Sequence, residues 1–310
     1  MPIDERSTMA PDAESHEHRA HVLPDGRRIG YALYGDPAGT PLLFFHGTPG
    51  SRLLARFLDK PARARGIRVV APDRPGYGLS TRHPGATLLD GPIDVEALAD
   101  ALGIQRFALL GVSGGGPHAL ALAWKRPKRV TRLGLASSVG PVAEGAVWEG
   151  LSDGYRLNYR VHREASWLVR LFATGADAAL RTLPDGILER LLASGPRADR
   201  ALWARADLRE ILLEDMTEGL EQGPEATARE LATLAQPWGF DPAEITVPTV
   251  LWHGERDFNV PTLHGRFLAE RIPKCRSTFV PDVGHLWFLA HPEALLDALA
   301  PPKKSKRTTK

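Results

Sequence analysis

Phe107-Ala108-Leu109-Leu110-Gly111-Val112-Ser113-Gly114-Gly115-Gly116-Pro117-His118-Ala119-Leu120-Ala121-Leu122-Ala123-Trp124 decides the fold of this 310-residue chain. The apolar run 107–112 reads as a buried strand, and 117–124 reads as a helix. Between them stands G-x-S-x-G, Gly111 to Gly115. In a strand–turn–helix setting that pattern makes a sharp elbow with the serine side chain exposed at its apex. The glycines have a steric task, because side chains flanking Ser113 would collide with the neighbouring strand and helix.

Outward from the elbow the chain alternates. Ala20–Leu23 and Ile29–Tyr34, joined by Pro24-Asp25-Gly26, read as a hairpin. Leu42–Phe45, Val69–Ala71 and Val130–Ala136 are short apolar strands; Leu53 to Ala64 and Val95 to Leu102 have helical character. Short apolar strands alternating with helices imply a mostly parallel sheet with helices on both faces. The alternation stops near Gly140. From 141 to about 240 no convincing strand is found, and Ala165 to Phe172, Gly186 to Ala193 and Ala201 to Leu213 carry helical spacing. Strands return at 248–252 and 277–280, with helices at 263–272 and 292–299. The expected organisation is a core of residues 18–140 and 241–300, a helical cap at 141–240 lying over the loop edge of the sheet, a polar disordered segment at 1–17, and a basic disordered tail at 301–310.

A lone serine needs an oriented base, and that base needs a carboxylate. On an elbow of this type the chain order is serine, acid, histidine. Downstream of Ser113, the strand ending at Trp252 runs into His253-Gly254-Glu255-Arg256-Asp257, and the strand ending at Val280 runs into Pro281-Asp282-Val283-Gly284-His285. Asp257 and His285 therefore both fall past the C-terminal ends of strands, where ligands and reacting groups gather in open sheets. Asp282 is the rival acid, although three residues from His285 it suits a local turn. The position after Ala136 holds Ser137 and Ser138, which offer no carboxylate. An anion developing at Ser113 calls for donors. Gly114, at the start of a helix, has a free N–H. Thr48 in His46-Gly47-Thr48-Pro49-Gly50 is the second candidate, because Pro49 has no N–H.

With these motifs in place, the chain resembles the α/β-hydrolase fold superfamily over about residues 20–140 and 245–300. The elbow at Ser113, the His46-Gly47 loop and the turn Asp73-Arg74-Pro75-Gly76-Tyr77-Gly78-Leu79-Ser80, similar to D-x-P-G-x-G-x-S, carry the likeness. The resemblance implies Ser113 as nucleophile, Asp257 as acid, His285 as base, and Thr48 and Gly114 as oxyanion donors, with no cofactor or metal. Asp73 is expected to hold its turn together. The expected activity is hydrolysis of a small, apolar ester or related acyl substrate. His46-Gly47-Thr48-Pro49-Gly50 is also close to the H-G-G-P-G of proline iminopeptidases, which usually carry tryptophan where this chain has Gly114. Peptidase action, C–C bond hydrolysis and non-catalytic ligand binding remain the alternatives. Gly114 is expected to leave room beside the serine. Trp148, Trp167, Trp203 and Trp287 are candidates for an apolar pocket.

Composition fits this reading. The chain is 43% hydrophobic and 25% charged, with 39 basic and 37 acidic residues. Five of the basic residues lie in the last ten positions, so the remainder carries 34 basic against 37 acidic side chains. That balance does not point to nucleic acid. The single cysteine, Cys275, forms no intrachain disulfide. An acidic N-terminus and the lack of a long apolar run lead to the expectation of a cytoplasmic protein without membrane association. His16, His18 and His21 cluster in sequence without a rigid frame for a metal. Oligomeric state is not legible.

Overall fold

The computed structural model describes residues 18–165, 167 and 197–300. Among the described residues eight strands form one sheet: β1 (Arg19–Val22), β2 (Arg28–Gly35), β3 (Thr40–Phe45), β4 (Ile67–Pro72), β5 (Phe107–Val112), β6 (Val130–Ala136), β7 (Thr249–Gly254) and β8 (Cys275–Val280). Their spatial order is β1-β2-β4-β3-β5-β6-β7-β8. The β1–β2 and β2–β4 pairs are antiparallel, and every later pair is parallel. Parallel strands need crossovers, and the crossover helices cover both faces of the sheet. All six residues of β5 are accordingly buried.

Side chains alternate between two cores. Leu43, Phe45 and Leu109 face one with α2 (Gly91–Ala101), α3 (Gly115–Lys125) and α9 (Thr262–Arg271); Val95, Leu120 and Leu268 fill it from the helices. Leu42, Phe44 and Leu110 face the other. There they meet the 3-10 helix Arg52–Leu58, α1 (Asp59–Arg63) and α10 (Pro292–Leu299). The helical character at 53–64 resolves into a 3-10 helix followed by a short α-helix.

The described part of 141–240 contains helices and no strand: α4 (Gly145–Gly150), α5 (Asp153–Glu164), α6 (Arg197–Trp203), α7 (Ala206–Leu220) and α8 (Glu225–Leu234). The helices expected at 186–193 and over most of 165–172 lie outside the described residues. Ala201 to Leu213 is not one helix, because the chain breaks at Ala204–Arg205 between α6 and α7. Trp203, Leu208 and Leu212 all bury against the same core as Phe288, so the apolar spacing runs through the break unmarked. Leu234 and Trp238 join the opposite core. The second half of the insert is therefore packed into the body of the molecule. No described helix is long and apolar enough to cross a membrane.

Candidate active site

β5 ends in the elbow. Ser113 sits at φ 52°, a left-handed backbone that a non-glycine residue adopts at a cost and that marks functional turns. Its N–H donates to the Ala136 carbonyl at 3.0 Å. The elbow glycines are required by contact. A Cβ on Gly115 would lie 2.3 Å from the Phe45 carbonyl oxygen, and one on Gly116 would lie 1.8 Å from Ser138 Oγ. Gly47 stands over the serine, since a Cβ there would be 3.5 Å from Ser113 Cβ.

Asp257 and His285 are both buried, on the turns after β7 and β8. His285 is not in an open loop but starts the 3-10 helix His285–Ala290. Its Nδ1 donates to Asp257 Oδ2 at 2.8 Å. The other carboxylate oxygen accepts the N–H groups of Asn259 at 2.9 Å and Val260 at 2.8 Å. Burial alone would raise the Asp257 pKa, but His285 and these donors outweigh it and hold the carboxyl below its usual range. Burial alone would likewise lower His285, yet the charge and hydrogen bond of Asp257, with Asp199 behind, raise it above its ordinary value. Asp282, the rival acid, is exposed and paired with Arg256 at 2.5 Å.

A bond path joins the elbow to the histidine. Ser137 follows β6, its N–H donates to the Trp252 carbonyl at 2.9 Å, and its Oγ donates to the His285 carbonyl at 2.9 Å. The position set aside for lacking a carboxylate thus fixes the main chain of the histidine. Asp199, from α6, accepts the N–H groups of His285 (3.0 Å) and Leu286 (2.9 Å), closing the start of that 3-10 helix.

Gly114 and Thr48, the two expected donor residues, lie against each other. A Cβ on Gly114 would lie 3.5 Å from the Thr48 N atom. Neither the Gly114 nor the Thr48 N–H donates to an acceptor among the described residues. The same contact overturns one expectation. The space beside Gly114 is filled, because a Cβ there would be 2.1 Å from Thr48 Oγ1. Gly114 is small to admit the threonine.

Arg74 and Glu230 carry the loop that holds Thr48. Arg74 donates to the carbonyls of His46 and Gly47, the latter at 2.8 Å, and its own N–H donates to His46 Nε2 at 3.3 Å. His46 Nδ1 donates to the Gly47 carbonyl at 2.8 Å. Burial first, and Arg74 second, push the His46 pKa well down, so this histidine stays neutral. Asp73 accepts from the Arg52 side chain (2.8 Å) and from the Leu79 N–H (3.0 Å), bracing its turn against the 3-10 helix. Of the tryptophans, Trp203 is core, Trp148 is faced by Arg160 and Arg163, and Trp287 stacks on His291. Arg156 bonds Asp153 at 2.8 Å.

This architecture and site define a class. The model of the alpha/beta hydrolase fold matches residues 40–292, and the chain belongs to that family. Among curated proteins, a proline iminopeptidase from Xylella fastidiosa is 36% identical over 132 residues, which cover 41% of this chain and 41% of that protein. A 2-hydroxymuconate semialdehyde hydrolase from Pseudomonas sp. is 41% identical over 126 residues, covering 37% of this chain and 44% of that protein. The chain thus spans less than half the length of these two relatives. Among solved structures, a hydrolase from Pseudomonas aeruginosa superimposes with a TM-score of 0.67 at 22% identity, covering 92% of this chain and 98% of that one.

Proposed function

We propose that this protein is a cofactor-independent serine hydrolase acting on a small, apolar ester or related acyl substrate. The observation that carries the reading is the buried Asp257–His285 hydrogen bond of 2.8 Å, tied through Ser137 to the elbow that bears Ser113. With Nδ1–H given to Asp257, His285 keeps a lone pair on Nε2. In the proposed reaction Nε2 takes the Ser113 hydroxyl proton as Oγ attacks the acyl carbon. The Thr48 and Gly114 N–H groups would receive the oxyanion. Collapse expels the leaving group with the proton from His285, and water then releases the acid by the same steps in reverse order.

A fluorophosphonate probe tests this directly. Wild type should be labelled at Ser113 and should hydrolyse activated acyl esters, and Ser113→Ala should do neither while keeping its fold. Activity of Ser113→Ala within about tenfold of wild type would sink the assignment. A second reading, C–C bond hydrolysis, is favoured by the match to the semialdehyde hydrolase; it uses the same triad with a carbon leaving group. A panel of p-nitrophenyl esters of increasing chain length, a proline amide and a vinylogous diketone separates ester, peptide and C–C cleavage by relative kcat/KM.

A further inference from the structure

Glu230 lies on α8, in the insert, yet its carboxylate is buried against the core loops. Five donors converge on it. Thr48 Oγ1 donates at 2.7 Å, Tyr77 Oη at 2.7 Å, His118 Nε2 at 2.8 Å, and Arg74 donates through both Nε and Nη2. A buried carboxylate needs its charge balanced, and Arg74 alone provides that in a two-point grip. The Thr48 hydroxyl is a further donor with a different consequence. Arg74 Nη2 also donates to Thr48 Oγ1 at 3.1 Å, and the same oxygen fills the space beside Gly114. The hydroxyl is therefore held from three sides, one residue after Gly47, which stands over Ser113.

We infer that Glu230 is a positioning residue, reached from the cap, that holds the Thr48 peptide so that its N–H and that of Gly114 form one donor pair. The inference rests on the serine-hydrolase reading of the same site. The Thr48 N–H acts on the oxyanion, whereas Glu230 acts only through the Thr48 side chain and Arg74. Its effect belongs to the transition state, so it is read in kcat and leaves substrate binding alone.

The test compares Thr48→Ala, Thr48→Ser and Glu230→Gln with wild type on an activated ester, with a boronic acid as oxyanion mimic. Thr48→Ala keeps the backbone N–H and removes its anchor. A hydrogen bond to a charged group sets the scale, and kcat should fall about 10- to 100-fold with KM within about threefold. Boronate affinity should fall by a similar factor. Thr48→Ser, which keeps the hydroxyl, should restore kcat to within about threefold of wild type. Glu230→Gln should lower kcat at least as much, and the double variant Thr48→Ala/Glu230→Gln should be no worse than Glu230→Gln alone. If Glu230→Gln fails to fold, the two Thr48 variants still decide. Thr48→Ala with kcat within about twofold of wild type, a loss confined to KM, or Thr48→Ser as damaged as Thr48→Ala would each overturn the inference. Wild type that is neither labelled by the fluorophosphonate nor active would instead sink the serine-hydrolase reading, and the inference with it.

Discussion

Asp257 spends both oxygens on donors, which sharpens what a single atom change there should do. In Asp257→Asn the side-chain oxygen stays on the Asn259 and Val260 N–H groups, and the amide NH2 is left facing His285. It would donate to Nδ1 and force the proton onto Nε2, the tautomer that cannot act as a base. The expected loss is on the order of 10³ to 10⁴ in kcat with the fold kept; Asp282→Asn, on an exposed pair with Arg256, should change kcat by less than about threefold. A larger effect at Asp282 in the same assay would mean the acid is misassigned. The raised pKa of His285 sets the pH response. A base must be neutral, so kcat/KM should rise with pH through a midpoint above the ordinary histidine value of about 6.5. Asp257, held low, stays ionised over that rise. Asp199→Asn removes one of the charges that raises His285, so it should move the midpoint down. An unmoved midpoint would contradict that influence. The placement of Ser113, Asp257, His285, Thr48 and Gly114 past strand ends was legible because each strand is a visible apolar run. Arg74 was not, since it occupies a variable place in the D-x-P-G turn and its partner Glu230 is 156 residues away.

At the scale of elements, the strands 42–45, 69–71, 107–112 and 130–136 could be read because parallel strands buried on both faces are continuous apolar runs. Helical periodicity was legible too, but its interruptions were not. Trp203, Leu208 and Leu212 keep a common face across the break between α6 and α7. A carboxylate within an amphipathic helix reads as solvated face, which hides Asp199, Asp215 and Glu230 although all three are buried. These three reach different core loops: His285–Leu286, Ser51 and Thr48. Glycine at 114 was read as leaving room, and the structure gives it the opposite role. With Thr48 Oγ1 2.1 Å from where a Cβ would stand, Gly114→Ala must displace the threonine. It should lower kcat by the same factor on acetyl and on longer acyl esters. Selective loss of the bulky substrates would mean that position 114 borders the acyl pocket after all.

For the molecule as a whole, stability should carry the mark of Asp215. Its carboxyl accepts from the Ser51 N–H and hydroxyl, yet burial pushes its pKa up to about 7. The unfolded value is about 3.9. Below the unfolded pKa the group is protonated in both states and exacts nothing. As pH rises toward 7 the unfolded chain ionises first, so the folded state loses stability across that window. Asp215→Asn keeps an acceptor for Ser51 and abolishes the titration. Its Tm relative to wild type should therefore be more favourable at pH 8 than at pH 5, by thermal unfolding in matched buffers. An equal difference at both values would refute the assignment. The insertion point has a consequence of another kind, in chain statistics. β6 and β7 are neighbours in the sheet, yet 112 residues separate Ala136 from Thr249. The entropy lost in closing a loop grows only with the logarithm of its length, about 0.6 kcal/mol per doubling. Relative to an ordinary crossover of about a dozen residues, spanning this gap adds roughly 2 kcal/mol. Burying a single side chain such as Trp203 or Leu208 is worth a similar amount, about 1.5–3 kcal/mol. An excursion of this length between two adjacent strands is therefore set by what its residues bury on arrival, and hardly at all by the distance the chain travels to return.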